Sequence, residues 1–113
     1  MKIEVQYLKV GGEQMVVLSA KEYERLAKKA DVWTPPLPEP DEDGTHPLAA
    51  VDIVIARGIL RDRRKLGLTQ VELARRARIR PETLKRIEQG KQAPSDRTMQ
   101  KIDQALKAAQ SRA

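Results

Sequence analysis

The stretch LTQVELARRARIRPETLKRIEQG runs from Leu68 to Gly90 and carries the densest structural coding in the chain. Thr69 stands three residues before Glu72. That is the spacing of a capping box, in which a hydroxyl and a carboxylate satisfy two free N–H groups at a helix start. Val71, Leu73, Ala74 and Ala77 are the inward candidates of this helix. Pro81 suits the first turn of a second helix, where its missing N–H is not needed, and Leu84 and Ile87 face inward there. Gly90 closes the second helix. From Leu73 to Arg86, fourteen positions hold five arginines and one lysine. Such a run either keeps a helical surface wet or grips a polyanion.

Two short helices joined by about three residues form a helix-turn-helix. In that arrangement the first helix crosses the DNA backbone, and the second places its N-terminal side chains in the major groove. The physical demands are met. Ala74 and Ala77 allow close approach, and Leu73, Ile79, Leu84 and Ile87 anchor the crossing. Gln70, Arg80, Glu82, Thr83, Lys85 and Arg86 remain as polar outward positions. One such helix offers limited contact, so a homodimer on a palindromic operator is expected.

The flanking segments are helical as well. AVDIVIARGILRDRRKL, from Ala50, places Val51, Ile55, Ile59 and Leu60 on one side, and Gly67 ends it. APSDRTMQKIDQALKAA, from Ala93, has Ser95 as cap and Met99, Ile102, Leu106 and Ala109 inward. Residues 49–113 are therefore expected to form an all-α helix-turn-helix domain of four to five helices.

The N-terminal part differs in kind. Ile3, Val5 and Tyr7 alternate with Glu4 and Gln6, the period of a half-buried strand. Gly11-Gly12 suits a tight turn, and QMVVLS continues as a second strand. Ser19 and Glu22 have capping-box spacing. Tyr23, Leu26, Ala27 and Ala30 then share one helical face. Residues 1–33 read as a ββα unit, too small to bury enough surface alone, and so expected to complete its core against a second copy or another protein. Residues 34–48 include TPPLPEPDEDGTHP and read as a proline-rich acidic linker, extended in its first half. The acidic run either spaces the two parts or docks on the basic half as a competitor for DNA. The fold class is α+β.

Charge follows the same division. Residues 1–50 carry a net charge of −3 and residues 51–113 a net charge of +9. A basic half of this size points to nucleic acid. The chain has no cysteine, which rules out disulfides and thiolate metal sites. His46 is the one histidine; it is expected at the surface of the linker and offers neither a His-based metal site nor a triad. Aromatics are confined to Tyr7, Tyr23 and Trp33, too few for a base-stacking platform. No apolar stretch is long enough to span a membrane. The N-terminus lacks a signal core, and a cytoplasmic, nucleoid-associated protein is expected. No pair of acid/base groups stands at a useful spacing, so no enzyme, metal or cofactor is expected.

On these motifs, Gly67 to Gln70, Leu73-Ala74, Thr83-Leu84, Ile87-Glu88, Gly90-Lys91 and Pro94-Ser95, the basic half resembles the phage-repressor and Cro-type helix-turn-helix domain across about residues 55–107. The resemblance implies that Gln70 and Gln89 hold phosphates. It implies that Pro81, Glu82, Thr83, Lys85 and Arg86 face the groove, and that Lys91 reaches the backbone. Glu88 would be structural, paired with an arginine such as Arg63. This chain departs from the family at Arg78, where glycine is usual. Either Arg78 takes a left-handed backbone at a cost of about 1 kcal/mol, or the first helix runs longer.

The segment VVLSAKEYERLAKKA behind a hairpin resembles the N-terminal region of antitoxins paired with RelE/HigB-like toxins. This resemblance implies that the N-terminal unit, through residues such as Val5, Tyr7, Val17, Tyr23 and Leu26, neutralises a basic toxin or dimerises while the chain represses its own operon. An acidic N-terminal unit would suit such a partner. The alternative is a stand-alone repressor whose N-terminal unit only dimerises.

Overall fold

A computed structural model describes residues 5–45 and 50–111. His46 and Pro47, and Ile3 and Glu4 of the expected first strand, lie outside the described residues. The chain divides into two compact units, Met1–Trp33 and Thr34–Ala113.

In the first unit, β1 (Gln6–Val10) pairs antiparallel with β2 (Glu13–Val17). Gly11 and Gly12 join them with φ of 59° and 81°, the two positive angles that a type I′ hairpin turn requires. The helix α1 (Ala20–Lys29) starts at Ser19, whose hydroxyl accepts the Glu22 N–H at 3.1 Å. The expected reciprocal bond from Glu22 is replaced by an ion pair with Arg25 at 3.0 Å. Past the helix, Ala27 O accepts from Val32 and Trp33 N–H, and Lys28 Nζ sits 4.5 Å from the centre of the Trp33 ring.

The expectation of a half-buried strand does not hold within one chain. Every residue of β1 and β2 is exposed. The register explains why alternation misled. Tyr7 pairs with Val16 on one face, while Leu8 pairs with Met15, flanked by Val10 and Val17, on the other. Both faces are apolar, and Ala27 is the one buried residue of α1.

The second unit holds α2 (Ala50–Lys65), α3 (Gln70–Ala77), α4 (Pro81–Glu88) and α5 (Asp96–Gln110). Thr69 and Glu72 close the capping box of α3 in both directions. Pro81 is the first residue of α4. Ser95 caps α5 by accepting from Thr98 N–H at 3.1 Å. α3 packs on α4 and α5, and α2 packs on α4. The core is aliphatic: Ile59, Leu68, Leu73, Ala74, Ala77, Leu84, Ile87, Ile102, Ala105 and Leu106 are buried, with Ile55, Ile79, Met99 and Ala109 packed against them. Two expected inward residues are not buried. Val51 and Val71 are 53% and 52% exposed. Val71 is two residues before Leu73, about 200° around the helix from it. The buried stripe of α2 runs through Ala56, Ile59, Leu60 and Arg63, and Val51 falls outside it.

The start of the proline-rich segment belongs to this second unit. Pro35 is buried. Arg57 Nη1 donates to Pro35 O at 2.8 Å, and Arg64 Nη1 donates to Thr34 Oγ1 at 3.1 Å. Proline carbonyls are good acceptors here because the segment has no ladder or helix of its own to satisfy them. Thr34–Leu37 is therefore a strap on α2. Beyond it, Asp41 to Thr45 make a turn in which Thr45 donates from Oγ1 and N to Asp43 Oδ1 at 2.6 and 3.2 Å. These two bonds hold the Asp43 carboxyl below its ordinary pKa.

Gly90 fixes the end of α4. Its φ is 74°, and a Cβ there would overlap Ile53 Cδ1 of α2. A Gly90→Ala variant meets the left-handed penalty and displaces the Ile53 terminal methyl. It should lose about 1–2 kcal/mol in urea unfolding; an unchanged midpoint would show that the constraint is not felt.

Candidate nucleic-acid interface

The exposed side of α4 is set by what its other side buries. Leu84, Ile87 and Glu88 are buried. Glu82, Lys85, Arg86 and Gln89 follow at i, i+3, i+4 and i+7, one stripe down the opposite side. Of these, Glu82, Lys85 and Arg86 are exposed and Gln89 is half-buried. Arg80 and Pro81 are exposed at the start of the helix, with Arg80 as a cap residue in extended backbone. Thr83 is half-buried at the stripe's margin. At the far end, Gly90 in its left-handed conformation turns the chain, and Lys91 N–H bonds back to Arg86 O at 3.0 Å. The exposed Lys91 side chain thus leaves from a fixed point beside the stripe.

A buried polar cluster holds this helix in place. Arg63 of α2 is fully buried, and Glu88 of α4 is 2% exposed. Arg63 Nε and Nη2 donate to Glu88 Oε2 and Oε1 at 2.7 and 3.0 Å. Its Nη1 donates to Leu68 O at 2.9 Å. Gln70, the first residue of α3, donates from Nε2 to Glu88 Oε1 at 2.8 Å. The fork-to-fork geometry is the strongest form of this pairing. The expected partner of Glu88 is the one observed. Gln70, expected at a phosphate, has one amide hydrogen committed to Glu88, which orients its amide group.

The turn between α3 and α4 resolves the choice left open at Arg78. Its φ and ψ are 57° and 45°, so it takes the left-handed conformation and α3 is not extended. Arg78 N–H bonds to Arg75 O and Ile79 N–H to Ala74 O, at 3.2 and 3.0 Å. These are the two bonds of a Schellman motif, made with arginine in the position that glycine favours.

Residues 59–108 match the family model described as Helix-turn-helix. They form a helix-turn-helix domain. The match takes in α3 and α4 whole, the end of α2 and nearly all of α5, and it supports a sequence-specific DNA-binding regulator. No curated protein and no solved structure matches the chain. Among the described residues, no helix is long and apolar enough to cross a membrane.

The N-terminal candidates are not brought together into one patch. Tyr7 and Val17 lie on opposite faces of the hairpin, while Val5 and Leu26 are half-buried and Tyr23 is exposed. Leu8, Val10, Met15 and Val16, which alternation passed over, are exposed with them. The signal was present in the apolar density of YLKV and MVV, which is two-sided rather than alternating. The notion of an acidic N-terminal unit also needs correction. Residues 1–33 hold six basic and five acidic side chains. The acidic excess comes from Glu39, Asp41, Glu42 and Asp43, which belong to the second unit.

The buried pair predicts an asymmetric mutational pattern. Arg63→Met should cost about 3–5 kcal/mol, because Glu88 is left charged and buried. Adding Glu88→Leu should restore much of that loss in thermal unfolding. A double variant as unstable as the single one would mean that Arg63 matters through packing alone.

Proposed function

We propose that this chain is a dimeric antitoxin that reads an operator with α4 and neutralises a protein toxin through its N-terminal unit. The observation that carries the DNA-reading part is the exposed stripe of Glu82, Lys85 and Arg86, continued by half-buried Gln89, on a helix braced by the Arg63–Glu88 pair. In the groove, Arg86 pairs with the O6 and N7 of guanine, the commonest specific contact, and Glu82 accepts from cytosine N4. Thr83 meets a thymine methyl at the stripe's margin. Gln70, Arg80, Gln89 and Lys91 meet phosphates, which set register without reading sequence, and Pro81 brings the start of the helix into the groove. Two protomers occupy a palindromic operator, and the protein works in the cytoplasm on the nucleoid.

The exposed apolar faces of the hairpin support a protein partner for the N-terminal unit. A two-stranded hairpin is marginal without a further layer, and here both faces await one. The near balance of charge in residues 1–33 also favours a second reading, a stand-alone repressor whose N-terminal unit pairs only with its own copy, since balanced charge does not repel itself. Co-expression with the product of the neighbouring gene separates the two. Under the antitoxin reading, the full chain rescues growth from that product and a chain lacking residues 1–33 does not. Rescue by the truncated chain, or a harmless neighbour, rejects it.

On the operator, Arg86→Ala should weaken binding by about 1–3 kcal/mol and relax the choice of base at one position. Equal weakening on all sequences, measured by competition, would reassign Arg86 to phosphate.

A further inference from the structure

A groove of about 680 Å³ runs between the end of α3 and the middle of α5, lined by Arg76, Arg78, Lys101 and Gln104 over a floor that includes Ala77 and Ala105. No acidic side chain lines it. Arg76, Arg78 and Lys101 make no ion pair among the described residues. Lys101 is half-buried. Alanines form the floor, so the three cationic side chains are not held apart by bulk. Arg78 sits there in a left-handed backbone that glycine adopts at no steric cost. Strain of this kind is held where a side chain is used.

We propose that this groove holds backbone phosphates of the DNA that flanks the bases read by α4. The proposal rests on the DNA-reading function above. Its chemistry is oxyanion recognition by two guanidiniums, one ammonium and one amide. DNA is favoured as the source because Arg78 opens the short turn that ends at Arg80 and Pro81, the start of the reading helix. The groove is thereby tied rigidly to the end of α4 opposite Gln89 and Lys91. A duplex seated on the stripe then meets phosphate-binding groups beyond both ends of α4, the Gln70 amide and the Lys91 ammonium at one end and this groove at the other.

The test uses the full chain and a random-sequence duplex several helical turns long, because phosphate contacts do not depend on sequence. Affinity is measured by fluorescence anisotropy over a series of KCl concentrations. Each phosphate contact adds about 0.9 to the slope of log affinity against log salt. Arg78→Gly and Lys101→Gln should each reduce the slope by about one contact and weaken binding about five-fold near physiological salt. Arg78→Gly should at the same time raise the melting temperature by relieving the backbone, so the loss of binding is not a loss of fold. Slopes unchanged in both variants, with a steep slope in the parent, overturn the groove proposal and leave the DNA-reading function standing. A flat slope in the parent removes that function itself. A polyglutamate peptide bound by the parent and lost in the variants, with their DNA slopes intact, overturns the proposal in favour of an acidic protein.

Discussion

The helix-turn-helix domain depends on one buried interaction, the pairing of Arg63 with Glu88. It joins α2 to α4, and through Gln70 it takes in the start of α3. Burying two charges costs several kcal/mol each, and their attraction offsets this only when the geometry is good and the remaining polar atoms are bonded. Both conditions are met: the guanidinium spans the carboxylate and also reaches Leu68 O. An apolar pair of similar size would hold the helices together as well. What the ionic pair adds is direction. A two-point fork admits one orientation of α4 against α2, and the exposed stripe faces away from that joint. The direction in which Glu82, Lys85 and Arg86 are presented is thus set from the opposite, buried side of the helix.

The two units finish their cores in different ways, and this difference separates their roles. The second unit closes on aliphatic and alanine side chains around the Arg63–Glu88 pair, helped by Gly90 against Ile53 and by the Thr34–Leu37 strap on α2. Its core is closed within the unit. The first unit has a well-specified hairpin and a capped helix but no buried strand residue. Local hydrogen bonds specify its elements, and no layer within it removes their apolar side chains from water. Within the unit, the strands therefore contribute little burial of apolar surface.

Legibility in the sequence followed the range of the interaction. The Thr69–Glu72 box, the Ser95 cap, Pro81 at a helix start and Gly90 at a helix end depend on neighbours three or four residues away, and each stands where its spacing placed it. The helix-turn-helix follows from them. Faces were less legible. Val51 and Val71 are apolar at positions that a helical template accepts, yet they point away from the packing partners. Ser19 and Glu22 have the spacing of a box, but Arg25 competes for the carboxylate. In the hairpin, alternation selected Val5 and Tyr7 and passed over Leu8, Val10 and Met15, because period two presumes that one face is wet.

From the sequence alone came the elements, their caps, the basic and acidic divisions and the helix-turn-helix, since these rest on local backbone chemistry and on counting charge. Tertiary structure decided which side of each helix is buried, that Arg63 is the arginine Glu88 takes, and that Arg78 accepts a left-handed backbone instead of prolonging α3. It also decided that the acidic, proline-rich segment begins as a strap on α2 rather than as a free spacer. The Glu88 partner and the strap rest on residues brought together by packing, Arg63 with Glu88 and Arg57 with Pro35, and no spacing rule along the chain encodes such a pair.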